Sequence, residues 1–175
     1  MRQRLLYPDV CKFLAIFLVT CSHSAQYISG ETWTNFFFGT HLDIAFNMPL
    51  FMLISGWFIN LDKMREQKPL EFIWNKFKRL MIPAFVWWGV LFLITKPQSS
   101  PLSFYWYLTA LFACMCIIYV FAKLIKNNTA CMLLSSLFVL VCPKMDYVHI
   151  NFMLPYLWGG VIINKLYNSK NDKAV

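Results

Sequence analysis

Asp9, Lys12 and His23 are the residues whose types and spacing best suit proton chemistry in this chain. Eleven positions separate Lys12 from His23. On an α-helix the two side chains therefore end about 20° apart in azimuth and about 16 Å apart along the axis. Asp9 falls about 40° from His23 on the same side. The segment between them, Phe13 to Val19, is apolar, and Ser22, Ser24 and Gln26 add polar atoms near the histidine. An imidazole among hydrocarbon side chains costs free energy unless it faces a cavity or a polar partner. Its near-neutral reference pKa suits it to take and return a proton during a reaction. A ring packed at an outer interface, or one bonding two helices together, would explain the same residue. The spacing alone leaves all three readings open.

A shared helical face presupposes a helix, and composition identifies the solvent around it. Of 175 residues, 59% are hydrophobic, 18% aromatic and only 14% charged. A soluble domain would have about half apolar residues and about a quarter charged. Apolar runs recur along the whole chain, so a cleaved signal peptide does not account for them. The length suits one domain, residues 1–175. The six cysteines lie in or beside apolar runs with no C-x-x-C pair, which reads as buried thiols with no metal site. A net charge of +8 raises the question of nucleic acid. The basic residues instead gather in short segments between the runs, where membrane topology places them.

Crossing a bilayer takes about 20 apolar residues. Six runs qualify: 10–28, 43–60, 80–95, 104–122, 130–143 and 150–164. The fifth is short and carries Ser135 and Ser136, while the sixth carries Pro155, Gly159 and Gly160, so these two are expected to tilt, kink or span in part. Fourteen of the sixteen Lys and Arg fall in alternate segments, and only Lys96 and Lys144 lie in the others. That bias puts both ends of the chain in the cytoplasm. The stretch 62–79 is too charged to span. Its Leu70, Ile73, Trp74 and Phe77 recur at helical spacing, which predicts a helix lying on the cytoplasmic membrane surface. The expected fold is therefore all-α, a polytopic membrane helix bundle of about six segments with one interfacial helix.

Lys12, ten intervening residues and His23 resemble the basic-x10-His motif in the first helix of the acyltransferase-3 family. Further matches follow in order: "NMPLFMLISGWF" at 47–58, "KFKRLMIPAFVWW" at 76–88, "FYWYLTALF" at 104–112 and "FMLPYLWGGVII" at 152–163. The resemblance covers nearly the whole chain but about the first half of the family's domain, which implies a C-terminally truncated chain or one needing a second half. It implies a bacterial membrane enzyme moving an acyl group, often acetyl, from acyl-CoA to a hydroxyl of a glycan or similar acceptor. Acyl-CoA would be a donor substrate, with no permanently bound cofactor. His23 would be the general base. Lys12, Lys76, Lys78 and Arg79 would attract the CoA phosphates at the cytoplasmic mouth, with Asp9 orienting a basic group.

Around that centre Asn47 is a candidate cavity-facing amide, and Ser55 with Gly56 a candidate for close helix packing. Pro49 would break the ladder of its helix, freeing carbonyls that need partners inside protein. Glu31, His41 and Asp43 stand where an outer acceptor would be met, and equally suit an ordinary loop. Tyr105, Trp106, Tyr107, Trp87 and Trp88 read first as interfacial aromatics and second as sugar-stacking rings. Two other functions stay open: a small multi-span transporter or channel subunit, and an inactive remnant. For topology, reporter fusions after Lys126 and after Lys173 should both read cytoplasmic. An extracytoplasmic signal at the second would mean that the last two runs are not a crossing pair.

Overall fold

The computed structural model describes residues 9–11, 13–14, 16–17, 20–21, 42–95, 105–141 and 149–171. Among them the regular structure is entirely α-helical. The helices are α1 (Leu42–Trp57), α2 (Leu61–Glu66), α3 (Pro69–Thr95), α4 (Trp106–Leu124), α5 (Asn128–Val141) and α6 (Ile150–Asn171). The described residues between 9 and 21 are helical as well. Two helices, Pro69–Ile94 and Trp106–Leu124, are long and apolar enough to cross a bilayer, with Met48–Trp57 and Asn128–Val141 as shorter apolar helices. The chain divides into two compact units, Met1–Ile59 with Tyr156–Val175, and Asn60–Pro155.

In the first unit α1 and the later part of α6 meet backbone to backbone. A β-carbon built on Gly56 would collide with the Leu157 carbonyl, and one built on Gly160 with the Leu53 carbonyl and the Trp57 amide nitrogen. Only glycine leaves room there. The same test at Gly159 meets nothing within 4 Å. The two neighbouring glycines of α6 thus differ completely in what they do. Met52 and Leu157 are buried beside this crossing. The Asn164 side-chain amide donates to the carbonyl of Trp57, an end group of α1 with no intrahelical partner. Asn168 donates in turn to Asn164 Oδ1 at 2.6 Å, and the Trp57 and Tyr167 rings lie 5.5 Å apart.

The second unit is built around α4, whose Leu111, Cys114, Met115, Ile118, Tyr119 and Ala122 are buried. That three-and-four spacing is the inward stripe of a helix covered on more than one side. On α3 Phe72, Met81 and Ala84 are buried, and Phe72 stacks on Tyr119 with centroids 4.3 Å apart. Phe77 meets Phe112 edge-on at 6.1 Å, so the two helices run antiparallel. On α5 Cys131, Ser135 and Val139 are buried at four-residue intervals. The buried Ser135 hydroxyl donates to the Met132 carbonyl at 3.1 Å, which removes the cost of an unpaired polar group. As described, α5 has 14 residues, a length of about 21 Å against about 30 Å of hydrocarbon.

The expected surface helix over 62–79 and the third run over 80–95 are not separate elements. The break falls earlier, at Gln67 and Lys68, and α3 then continues for 27 residues. Asn60 caps α2 by accepting from the Lys63 amide at 3.0 Å. Pro69 opens α3, at the position where a missing N–H costs nothing. Pro83 is enclosed by α3, and Pro49 likewise lies inside α1, which continues through it. Each removes one ladder bond without ending its helix. Among the described residues, the thiols of Cys114 and Cys131 are buried and those of Cys11, Cys21 and Cys116 partly so, none of them in a disulfide. Gly159→Ala should leave stability unchanged or raise it by up to about 1 kcal/mol. Gly160→Ala should lower it by about 1–3 kcal/mol, because α1 and α6 must separate. Unfolding in detergent followed by circular dichroism measures both, and equal effects would contradict the backbone contact.

Candidate functional site

The basic segment at the start of α3 is where the described residues bring candidate site groups together. Lys76 is half-buried, its Nζ 5.6 Å from the centroid of Phe72. The Phe72 ring is held against Tyr119, whose hydroxyl donates to the Gln67 carbonyl at 2.8 Å. Lys76 therefore emerges from a wall of fixed rings, with its ammonium at the edge of the α3–α4 pair. Arg79 follows three positions later, about 60° round the helix, and is exposed. These two cations share a side. A phosphate there would meet one ammonium and one planar guanidinium, a combination of point charge and bidentate fork.

Lys78 does not join them. It lies about 160° round the helix from Lys76, exposed, with its Nζ 5.7 Å from the Trp74 centroid. The reason is periodicity: two positions along an α-helix turn a side chain nearly to the opposite face. Of the other expected site residues, His23 and Lys12 lie outside the described residues, as do Glu31 and His41. Asp9 is helical and partly exposed. Asn47 is in the backbone of α1, and its side chain lies outside the described residues. Ser55 is half-buried on α1 next to Gly56, and its carbonyl accepts from the Phe58 amide at 3.3 Å. The close helix contact belongs to the glycine. Among the described residues, no three His, Cys, Asp or Glu side chains are grouped to hold a metal ion.

A family model described as an acyltransferase domain, acyltransferase-3, matches residues 5–174. The chain belongs to the acyltransferase-3 family. No curated protein and no solved structure matches it. Membership makes it a membrane acyltransferase in general terms, and the two apolar helices long enough to span agree with that.

Among the described residues of this acyltransferase-3 chain, the most heavily bonded cation is one that spacing does not single out. Arg65 of α2 donates from Nε to the Ala122 carbonyl at 3.1 Å and from one terminal nitrogen to the Ile125 carbonyl at 3.2 Å. The same nitrogen reaches Asn128 Oδ1 at 2.6 Å, and the other pairs with Asp62 at 2.9 Å. Lys123 completes the ring by donating to the Arg65 carbonyl. The sequence shows Arg65 as one more basic residue in a basic segment. Its distant acceptors, two backbone carbonyls and the Asn128 side chain, lie about sixty positions away, which no local pattern displays. The only local hint is Asp62, three residues earlier.

Arg65 is thus a cap for the C-terminal end of α4, and its removal tests that role. Arg65→Met should cost about 2–3 kcal/mol, since charge-assisted bonds to carbonyls left unpaired are lost. Arg65→Lys should recover little, because a single ammonium cannot span the same acceptors. Thermal unfolding in detergent is the readout. A variant as stable as the parent would return Arg65 to the topology signal.

Proposed function

We propose that this acyltransferase-3 chain transfers an acyl group, acetyl in the simplest case, from acyl-CoA to a hydroxyl of a glycan or similar acceptor at a bacterial inner membrane. The observation that carries the reading is the family match over residues 5–174. The half-buried Lys76 with Arg79 beside it supports it, as a phosphate-attracting edge on the segment where positive charge is concentrated. In this reading both ends of the chain are cytoplasmic, and six segments, including 10–28, cross the membrane. Lys12 joins Lys76 and Arg79 in holding the CoA phosphates, and Asp9 orients a basic group at that level. Lys78, on the other side of α3, is left out of the donor site.

His23 is the proposed general base. A neutral imidazole removes the proton from the acceptor hydroxyl as its oxygen attacks the thioester carbon. The carbon–oxygen bond forms, the carbon–sulfur bond breaks, and the CoA thiolate leaves, taking up a proton. The ester and free CoA are the products. Asn47 and Ser55 are supporting polar groups in this scheme. Burial in the membrane keeps water from competing with the acceptor for the thioester.

The test uses membranes carrying the chain, supplied with labelled acetyl-CoA. His23→Ala should leave insertion and donor binding intact while transfer falls by about 10²-fold or more. His23→Gln should fail as badly, since an amide accepts no proton near neutral pH. Lys76→Ala should instead weaken CoA binding by about 1–3 kcal/mol, an effect that shrinks with added salt. A glutamine variant that keeps its activity would make His23 a structural hydrogen-bonding residue. No transfer by the parent chain would leave an inactive membrane protein as the reading.

A further inference from the structure

The side of α3 opposite Lys76 has an organisation of its own. Lys78, Ile82, Phe85 and Gly89 recur at intervals of four, three and four residues, which aligns them along one face. Around Gly89 the helix forms a shallow groove. Phe85 and Phe92 make one rail and Val86 and Leu93 the other, each set seven residues apart, and all four side chains are exposed. Leu93 is the extreme, at 82%. Gly89 is the floor, where an added β-carbon would meet nothing within 4 Å. At the head of the groove stands Lys78, with its ammonium over the exposed Trp74 ring. Eleven residues from Lys78 to Gly89 span about 16 Å, close to one leaflet's share of about 30 Å of hydrocarbon.

We propose that this outward face of α3 binds an anionic phospholipid, with its phosphate at Lys78 and one acyl chain lying in the groove floored by Gly89. The inference rests on the membrane reading given above. Charge and polarity match along the whole length. Trp74 is an indole at headgroup level with an apolar body and a polar N–H, the ammonium meets the phosphate, and the hydrocarbon rails meet the chain. Glu71 is on the same side but two turns further from the apolar half, beyond the level of Lys78. A second copy of this chain docked in parallel on the same face would bring Lys78 against its own counterpart, which like charges oppose. A lipid phosphate removes that repulsion.

The purified full chain, released from detergent micelles holding equal phosphatidylglycerol and phosphatidylcholine, is weighed with its retained lipids by native mass spectrometry. The parent should keep phosphatidylglycerol in preference. Lys78→Gln should lower that preference about fivefold, the worth of one cation at an anionic surface. Gly89→Leu, which fills the groove, should reduce retention of both lipids while leaving coenzyme A affinity at the parent value. An unchanged lipid preference in Lys78→Gln overturns the proposal. So does displacement of the lipid by millimolar inorganic phosphate, which would indicate a free-anion site, or loss of a cross-linked dimer in Gly89→Leu, which would assign the groove to a second copy. Should Lys78→Gln lower coenzyme A affinity but not lipid preference, the donor site extends to Lys78 and the lipid site falls. Lost lipid preference stands as support even in a preparation with no acyl transfer.

Discussion

Everything in the second unit is arranged around the carbonyl groups at the end of α4. A helix leaves its last carbonyls without N–H partners, and those of Ala122 and Ile125 face back toward α2. Arg65 supplies the donors. By doing so it joins α2, the end of α4 and the start of α5 through one planar group. The Tyr119 hydroxyl does the same for the Gln67 carbonyl in the gap before α3. The level of Phe72, and of Lys76 one turn beyond it, is set by those two attachments. The edge proposed to hold the donor is thus positioned by groups that would never touch it.

The first unit solves helix association differently. Lipid chains are as apolar as the side chains they contact, so burying leucine gains little, and close approach of backbones becomes the main resource. Gly56 and Gly160 provide it at one crossing, and Asn164 then satisfies the Trp57 carbonyl beside it. In both units a helix end is closed by a side chain from a distant part of the sequence. One uses a charged fork and the other a neutral amide.

Much of this was readable in advance. Run length and polarity located α1, α4 and α5 to within a few residues, whereas α6 continues past the apolar run that ends at 164, through Lys165 and Asn168 to Asn171. The Pro-Leu-Phe and Ser-Gly stretch and the basic-x10-His spacing pointed to the family. Two things could not be read. The fusion of the basic stretch with the third run depends on Pro69 starting a helix that Pro83 does not stop, and propensity alone favours a break at either. The contrast between Gly159 and Gly160 depends on which face α6 turns to α1. The opposite placing of Lys76 and Lys78, by contrast, follows from their two-residue spacing on any helix. His23 and Lys12, the centre of the sequence argument, lie outside the described residues.

Pro83 gives α3 a mechanical character that its continuous outline hides. It has no N–H for the carbonyl of Arg79, so the rod has one missing strut just past its basic end. Up to Ala84 the helix is anchored, through Phe72, Met81 and Ala84. Beyond it Val86, Trp87, Val90, Leu93 and Ile94 are exposed. The eleven residues beyond Ala84, 85–95, make a lever about 16 Å long on a joint weakened by the missing bond. Bilayers of different thickness demand different tilts of such a segment. The weak point lies where that change of angle can be absorbed as bending, leaving the stacked rings of Phe72 and Tyr119 in register.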